Sequence, residues 1–99
     1  MANKPIEFDS EAADEVVDGY EWYLKRSPQA ARAFLSEVDR AIDAIQASPA
    51  MFATYLHGTR RYLLKRYPYA IVYRELPELI QIVAVSHLKR RPGYWKSRV

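Results

Sequence analysis

Ninety-nine residues, 49% of them apolar and 13% aromatic, suffice for one domain with its own core. No cysteine occurs, which excludes disulfides and thiolate-bound metals and fits a reducing cytoplasm. The net charge of +3 conceals a separation: residues 1–50 carry 5 Lys/Arg against 10 Asp/Glu, and residues 51–99 carry 10 against 2. A basic, aromatic half on a small domain points to an acidic or polyanionic partner.

The opening Met1-Ala2-Asn3-Lys4-Pro5 runs into acidic residues without an apolar segment, so no signal peptide is expected. No apolar run exceeds about five residues, far short of a membrane span. Neither repeats nor low-complexity segments are present.

Ile6-Glu7-Phe8 alternates and reads as a short strand at the sheet edge or beside the last strand. Ser10 is placed to cap a helix whose first turn holds Glu11 and Asp14, the favourable sign for the helix dipole. Ala13, Val16, Val17, Tyr20, Tyr23 and Leu24 recur at helical spacing. Gly19 either weakens this helix by about 1 kcal/mol or permits close packing. Trp22 falls off the stripe, as a partner contact or a rim packing residue. Lys25-Arg26 closes the helix with the favourable sign.

Ser27-Pro28 restarts the chain, serine as cap and proline in the first helical position, so two antiparallel helices are expected. Ala31, Phe34, Leu35, Val38, Ala41, Ile42 and Ile45 form the second apolar stripe. Arg32, Asp39, Arg40 and Asp43 fall on the solvated side, and Ser48-Pro49 ends the helix. Residues 50–59 read as a connection with a turn at Gly58.

Three β-rich runs follow, at 60–67, 69–76 and 79–87, separated by Pro68 and by Leu76-Pro77-Glu78. The last is the most apolar and is expected to be the central or most buried strand. The order implies an α+β domain over 1–99: a helical hairpin packed on one face of a twisted antiparallel sheet. Residues 88–99 form a basic tail. The second sheet face is then open and basic in either register, with Arg60, Tyr62, Leu64 and Arg66 or with Arg61, Leu63, Lys65 and Tyr67 outward.

Several stretches, taken in order, carry a resemblance. They are Leu56-His57-Gly58, Arg60-Arg61-Tyr62-Leu63-Leu64, Pro68-Tyr69-Ala70-Ile71-Val72-Tyr73-Arg74, Ile82-Val83-Ala84-Val85-Ser86-His87 and Arg91-Pro92-Gly93-Tyr94-Trp95. Together they make the chain resemble the RelE/ParE superfamily of toxins from bacterial type II toxin–antitoxin modules. The resemblance covers nearly the whole chain and implies the same hairpin-on-sheet fold. It also implies a cognate antitoxin whose acidic and apolar C-terminal segment wraps the toxin.

The superfamily acts on ribosome-bound mRNA, through metal-independent cleavage, or on DNA gyrase. Carried over position by position, Arg61 keeps the basic residue of the second strand that the cleaving branch uses. Leu63 stands where a second lysine is usual, and Ala70 where an arginine follows the first tyrosine of the third strand. Lys89, Arg90 and Arg91 supply charge after the last strand, and Tyr94 an aromatic hydroxyl.

Cleavage would require a general base for the 2′-OH, a general acid for the leaving oxygen and cations for the transition state. The catalytic candidates are His87, Arg61, Arg90 and Tyr94, His87 alone having an ordinary pKa near neutrality. The plainer alternative has His87 anchoring the tail. His57, in the loop before the sheet, is a weaker candidate. Candidates for binding nucleic acid or an acidic partner are Arg60, Arg61, Lys65, Arg66, Lys89, Arg90, Arg91, Trp95, Lys96 and Arg98. Trp95 either stacks on bases or folds back into an apolar groove through a turn at Pro92-Gly93.

The acids of the first helix, Glu11, Asp14, Glu15, Asp18 and Glu21, read as a solvated face. No histidine accompanies them, so no metal is expected, and no Gly-rich phosphate loop or nucleophile elbow suggests a cofactor. Two readings compete with an active toxin. One is an inactive relative that binds antitoxin and regulates its operon, and the other is a stand-alone nucleic-acid-binding domain.

Overall fold

Three residues form the first strand, β1 (Ile6–Phe8), and Asp9 turns the chain into α1 (Ser10–Leu24). Asp9, rather than Ser10, is the cap: its carboxylate accepts the Glu11 N–H at 2.9 Å. Ser27 caps α2 (Pro28–Ala47) as expected, its hydroxyl accepting the Ala30 N–H at 3.1 Å with Pro28 in the first turn. The chain then forms β2 (Ala53–Thr54), β3 (Arg60–Leu63), β4 (Tyr69–Glu75) and β5 (Ile80–His87). This computed structural model describes residues 3–99. Met1 and Ala2, the head of the segment read above for a signal peptide, lie outside the described residues.

The strands form one sheet in the order β1-β5-β4-β3-β2. β4 is the middle strand; β5 is interior between β1 and β4 and mostly buried, as its apolar composition implies. The sheet is mixed: β2 through β5 pair antiparallel, while β1 joins β5 in parallel, Ile6 opposite Ile80. β2 lies within the segment read as connection, too short to carry an alternation.

The two helices cover one face. Phe34, Val38, Ala41 and Ile45 of α2 pack with Ala12 of α1 onto Ile71, Tyr73, Ile80, Ile82 and Val85. The Phe34 ring is surrounded by Tyr23, Tyr67 and Tyr69, with centroids 5.1–5.4 Å away. Gly19 is buried against it because a β-carbon there would stand 2.8 Å from Phe34 Cζ. The close-packing reading of that glycine holds.

The expected strand 60–67 stops at Leu63. Glu37 of α2, buried, accepts the N–H groups of Lys65 and Arg66 on one oxygen, at 2.6 and 2.9 Å. Those amides are thereby lost to any ladder, and the chain bends instead.

The second sheet face is not open. Val72, Val83 and Ala84 form a small second core with Trp95 of the tail, which is 1% exposed. A bulge makes this possible. Val72 pairs with Ala84 but Tyr73 pairs with Ile82, so Val83 is an extra residue and two neighbours pack on the same side. Gly93, at φ 78°, supplies the left-handed turn that returns Trp95 to the sheet. No helix among the described residues is long and apolar enough to cross a membrane.

Candidate functional site

β5 is longer than β1, so its edge beyond Ile82 needs partners. α1 and the tail provide them. Glu15 accepts the Val85 N–H at 2.9 Å, and Arg98 donates to the Val83 carbonyl at 3.1 Å. Glu15 also accepts the Tyr94 hydroxyl at 2.6 Å and the Arg98 guanidinium at 3.0 and 3.2 Å. Arg90 reaches it at 3.3 Å, and Arg98 extends to Glu11 at 2.9 Å. One carboxylate on α1 thus holds three tail residues and one strand amide.

The environment shows in the acid–base chemistry. Burial, then the Glu15 hydrogen bond and charge, push the Tyr94 hydroxyl up to about 12. Burial by itself would lower Arg98, but the Glu15 hydrogen bond and neighbouring charges outweigh it and the net shift is upward. The Tyr94 ring is further covered by Arg90, whose guanidinium carbon lies 3.6 Å from its centroid.

Two clefts flank this network. The larger, about 350 Å³, lies between α1 and the ends of β4 and β5. Asp18, Trp22, Tyr69, His87 and Arg90 are among its walls. The smaller, about 80 Å³, lies on the tail side, where Arg61, His87 and Arg90 come together beside Tyr55 and Ser86. The His87 ring meets Tyr69 edge-on at 5.0 Å, and its Nδ1 accepts the Lys89 N–H at 3.0 Å.

A family model described as the ParE toxin of the type II toxin–antitoxin system, parDE, matches residues 6–92. The chain belongs to the ParE toxin family. Among solved structures, it is similar to the chromosomal ParDE toxin–antitoxin system of P. aeruginosa, with a TM-score of 0.77 at 19% identity. That match covers 87% of this chain and 97% of the other, and carries the fold. No curated protein matches the chain.

Within this ParE fold the candidate residues separate into groups. Arg61, His87 and Arg90 converge on the small cleft, but Tyr94, the fourth catalytic candidate, is turned to Glu15. The reading of the tail as a free docking surface needs correction at three positions. Trp95 is interior, which removes it as a stacking platform for bases. Arg98 is neutralised by Glu15 and Glu11, and Arg90 is held partly by Glu15. The causes differ: Trp95 is buried against Val72, Val83 and Ala84, while Arg90 and Arg98 are met by the carboxylates of the acidic helix beside the tail.

Lys89, Arg91 and Lys96 remain exposed. Arg60 points to the helix side, where it donates to the Phe52 carbonyl at 2.7 Å. Arg61 lies over the Tyr55 ring at 4.3 Å on the tail side. Lys65 and Arg66 are exposed in the bend after β3. His57 packs edge-on to Trp95 at 5.7 Å. Trp22 is 51% exposed with the Arg26 guanidinium 3.5 Å above its ring.

Glu15 and Glu37 were missed as organising residues. For Glu15 there was a hint. Glu11 and Glu15 repel one another at i, i+4, an arrangement that a cation from elsewhere relieves. For Glu37 the hint was a carboxylate between Phe34 and Val38, on the edge of an apolar stripe.

Proposed function

We propose that the chain is the growth-arresting toxin of a type II toxin–antitoxin pair. It works in the cytoplasm, is neutralised by a cognate antitoxin with an acidic and apolar C-terminal segment, and acts by seizing DNA gyrase rather than by cutting mRNA. Membership of the ParE family supports the toxin assignment. The observation that carries the choice of target is the bond from Tyr94 to Glu15. The hydroxyl needed beside the scissile phosphate is committed to a structural carboxylate and held un-ionised. Leu63 and Ala70, where the cleaving branch carries cations, point the same way. Poisoning by binding needs surface complementarity and no proton transfer.

A second reading keeps one observation. Arg61, His87 and Arg90 line the same small cleft, so two cations and an imidazole face a space of about 80 Å³. With Nδ1 of His87 accepting the Lys89 amide, Nε2 carries the proton of the neutral ring and is placed to donate it. That set would supply a proton donor for the leaving oxygen and cations for the transition state, with the general base left to come from the target.

Induced expression decides between them. Growth is expected to stop, and co-expression of an adjacent small reading frame with an acidic C-terminal half is expected to relieve the arrest. Arrested cells should contain trapped gyrase–DNA breaks and intact ribosomal A-site mRNA. Cut A-site mRNA that disappears with His87→Ala, without DNA breaks, would establish the second reading and overturn the first. Normal growth on induction would leave the inactive relative.

A further inference from the structure

Beyond Ile82 the outer edge of β5 has no strand beside it, since β1 pairs only with Ile80–Ile82. Main-chain groups alternate along this edge. The Leu88 N–H turns to the Pro68 carbonyl on the β4 side, at 2.8 Å, whereas the Val85 N–H turns outward to Glu15. Both polar groups of a strand residue point the same way, so the Val85 carbonyl and the His87 N–H also face outward. The groups around them are spent. The Val83 carbonyl accepts from Arg98, the Val85 N–H donates to Glu15, and the His87 carbonyl accepts the Arg90 N–H at 3.0 Å. Among the described residues no donor reaches the Val85 carbonyl and no acceptor the His87 N–H. One acceptor and one donor thus stand side by side, and both residues line the cleft of about 350 Å³ beside α1.

The rest of that cleft suits a flat ligand. Gly19 keeps it open, because a β-carbon there would stand 3.3 Å from the Tyr69 hydroxyl. Trp22 on one side and Tyr69 and His87 on the other bring aromatic surface to it, and Trp22 is 51% exposed. Asp18, one turn before Trp22, has no cation within ion-pair distance among the described residues. Its charge faces Tyr69 closely enough to add, after burial and Tyr23, to the upward shift of that hydroxyl. Arg90 closes the outer end, and Lys89 is exposed next to it in sequence.

We infer that this cleft binds a purine ribonucleotide, with the base set against the edge of β5. The Watson–Crick edge of a base carries a donor beside an acceptor, the complement of the Val85 carbonyl and the His87 N–H. A peptide strand fits poorly, since Arg98 and Glu15 block the edge on one side and the turn to Arg90 on the other. A bicyclic base covers more of the aromatic walls than a single ring. Asp18 is the acceptor for the ribose hydroxyls, a role that carboxylates fill in other nucleotide sites. The acids on α1 repel a phosphate placed deep in the cleft, so the phosphate end points out toward Arg90 and Lys89. The volume lies in the range of small-molecule sites. Neither choice of toxin target uses the Val85 and His87 main chain.

The test is a nuclear magnetic resonance titration of the purified, isotope-labelled full chain with adenosine monophosphate. Uridine monophosphate and a short oligo-adenylate are titrated in parallel. Adenosine monophosphate is expected to shift the amides of residues 85–87, His87 most, because its N–H gains an acceptor. Trp22→Ala should weaken binding about fivefold or more. The parent should prefer adenosine monophosphate to its 2′-deoxy form, and Asp18→Ala should erase that preference. Both positions are exposed, and thermal melting confirms that each variant folds. Binding of the mononucleotide identifies a free nucleotide as the ligand; binding of the oligo-adenylate alone identifies an unpaired purine in a strand. Equal affinity for uridine monophosphate, shifts confined to the basic tail, or no shift at millimolar nucleotide would overturn the assignment.

Discussion

Glu15 Oε2 accepts the Tyr94 hydroxyl at 2.6 Å across 79 positions of sequence. This bond and those around it convert a basic terminal segment into the cover of the second sheet face. The charge separation of the chain is therefore consumed partly inside the molecule. What is left for partners is the set of cations that no carboxylate reaches.

Replacement of Glu15 by alanine should destabilise the fold by about 2–4 kcal/mol. The change leaves Arg98 without its main partner and Val85 with an unmatched amide in a nearly dry place, Glu15 and Arg98 side chains being 12% and 10% exposed. Chemical denaturation measures the loss. In a Trp22→Phe background, the emission of Trp95 should shift to the red as the tail loosens. A midpoint within error of the parent would show that the network is ornamental.

Trp95→Ala should cost about 3–5 kcal/mol, the usual loss for a large buried aromatic residue. Its ring fills the space above Val72, Val83 and Ala84, with Tyr55 and Tyr94 packed at its margin. Thermal melting checks this. A tail that is only loosely attached would show almost no change.

Gly19→Ala is expected to destabilise by about 1–3 kcal/mol although alanine is the better helix former by about 1 kcal/mol. The added methyl would meet Phe34, which is itself fixed by three tyrosine rings. Equilibrium unfolding in urea gives the sign directly. Stabilisation would mean that the aromatic cluster can yield.

The tyrosines predict an alkaline limit. Tyr94, raised to about 12, binds its proton more tightly folded than unfolded, where the ordinary value is 10.0. Its contribution is therefore complete below about pH 10 and is lost as pH rises through about 12. Tyr23, Tyr69 and Tyr73 are shifted in the same direction, chiefly by burial. Stability measured across this window should fall, and Tyr94→Phe should flatten the fall. Spectroscopic titration of the parent should show a late-ionising tyrosine that the variant lacks.

Periodicity, residue type and apolar content located both helices, the cap at Ser27, the last two strands and the burial of β5. These depend on contacts between near neighbours, or on how apolar a run is, and both are written locally. The cap at Asp9 was displaced by one residue because Ser10 is equally able to cap; the choice depends on where β1 releases the chain. The end of β3 was not legible, since Glu37 comes 28 positions earlier to take the Lys65 amide.

Composition and order along the chain determined the α+β class, the aromatic core and the presence of opposite charge in the two halves. Only the tertiary structure decided what those charges do. Placing α1 beside β5 brings Glu15 within reach of Arg90, Tyr94 and Arg98, and a nearby opposite charge is worth more in that shielded gap than in water. Arg40, Lys65 and Arg66 stayed free for the complementary reason: α2 and the bend after β3 present them at the sheet's far edge, away from the acids of the first helix.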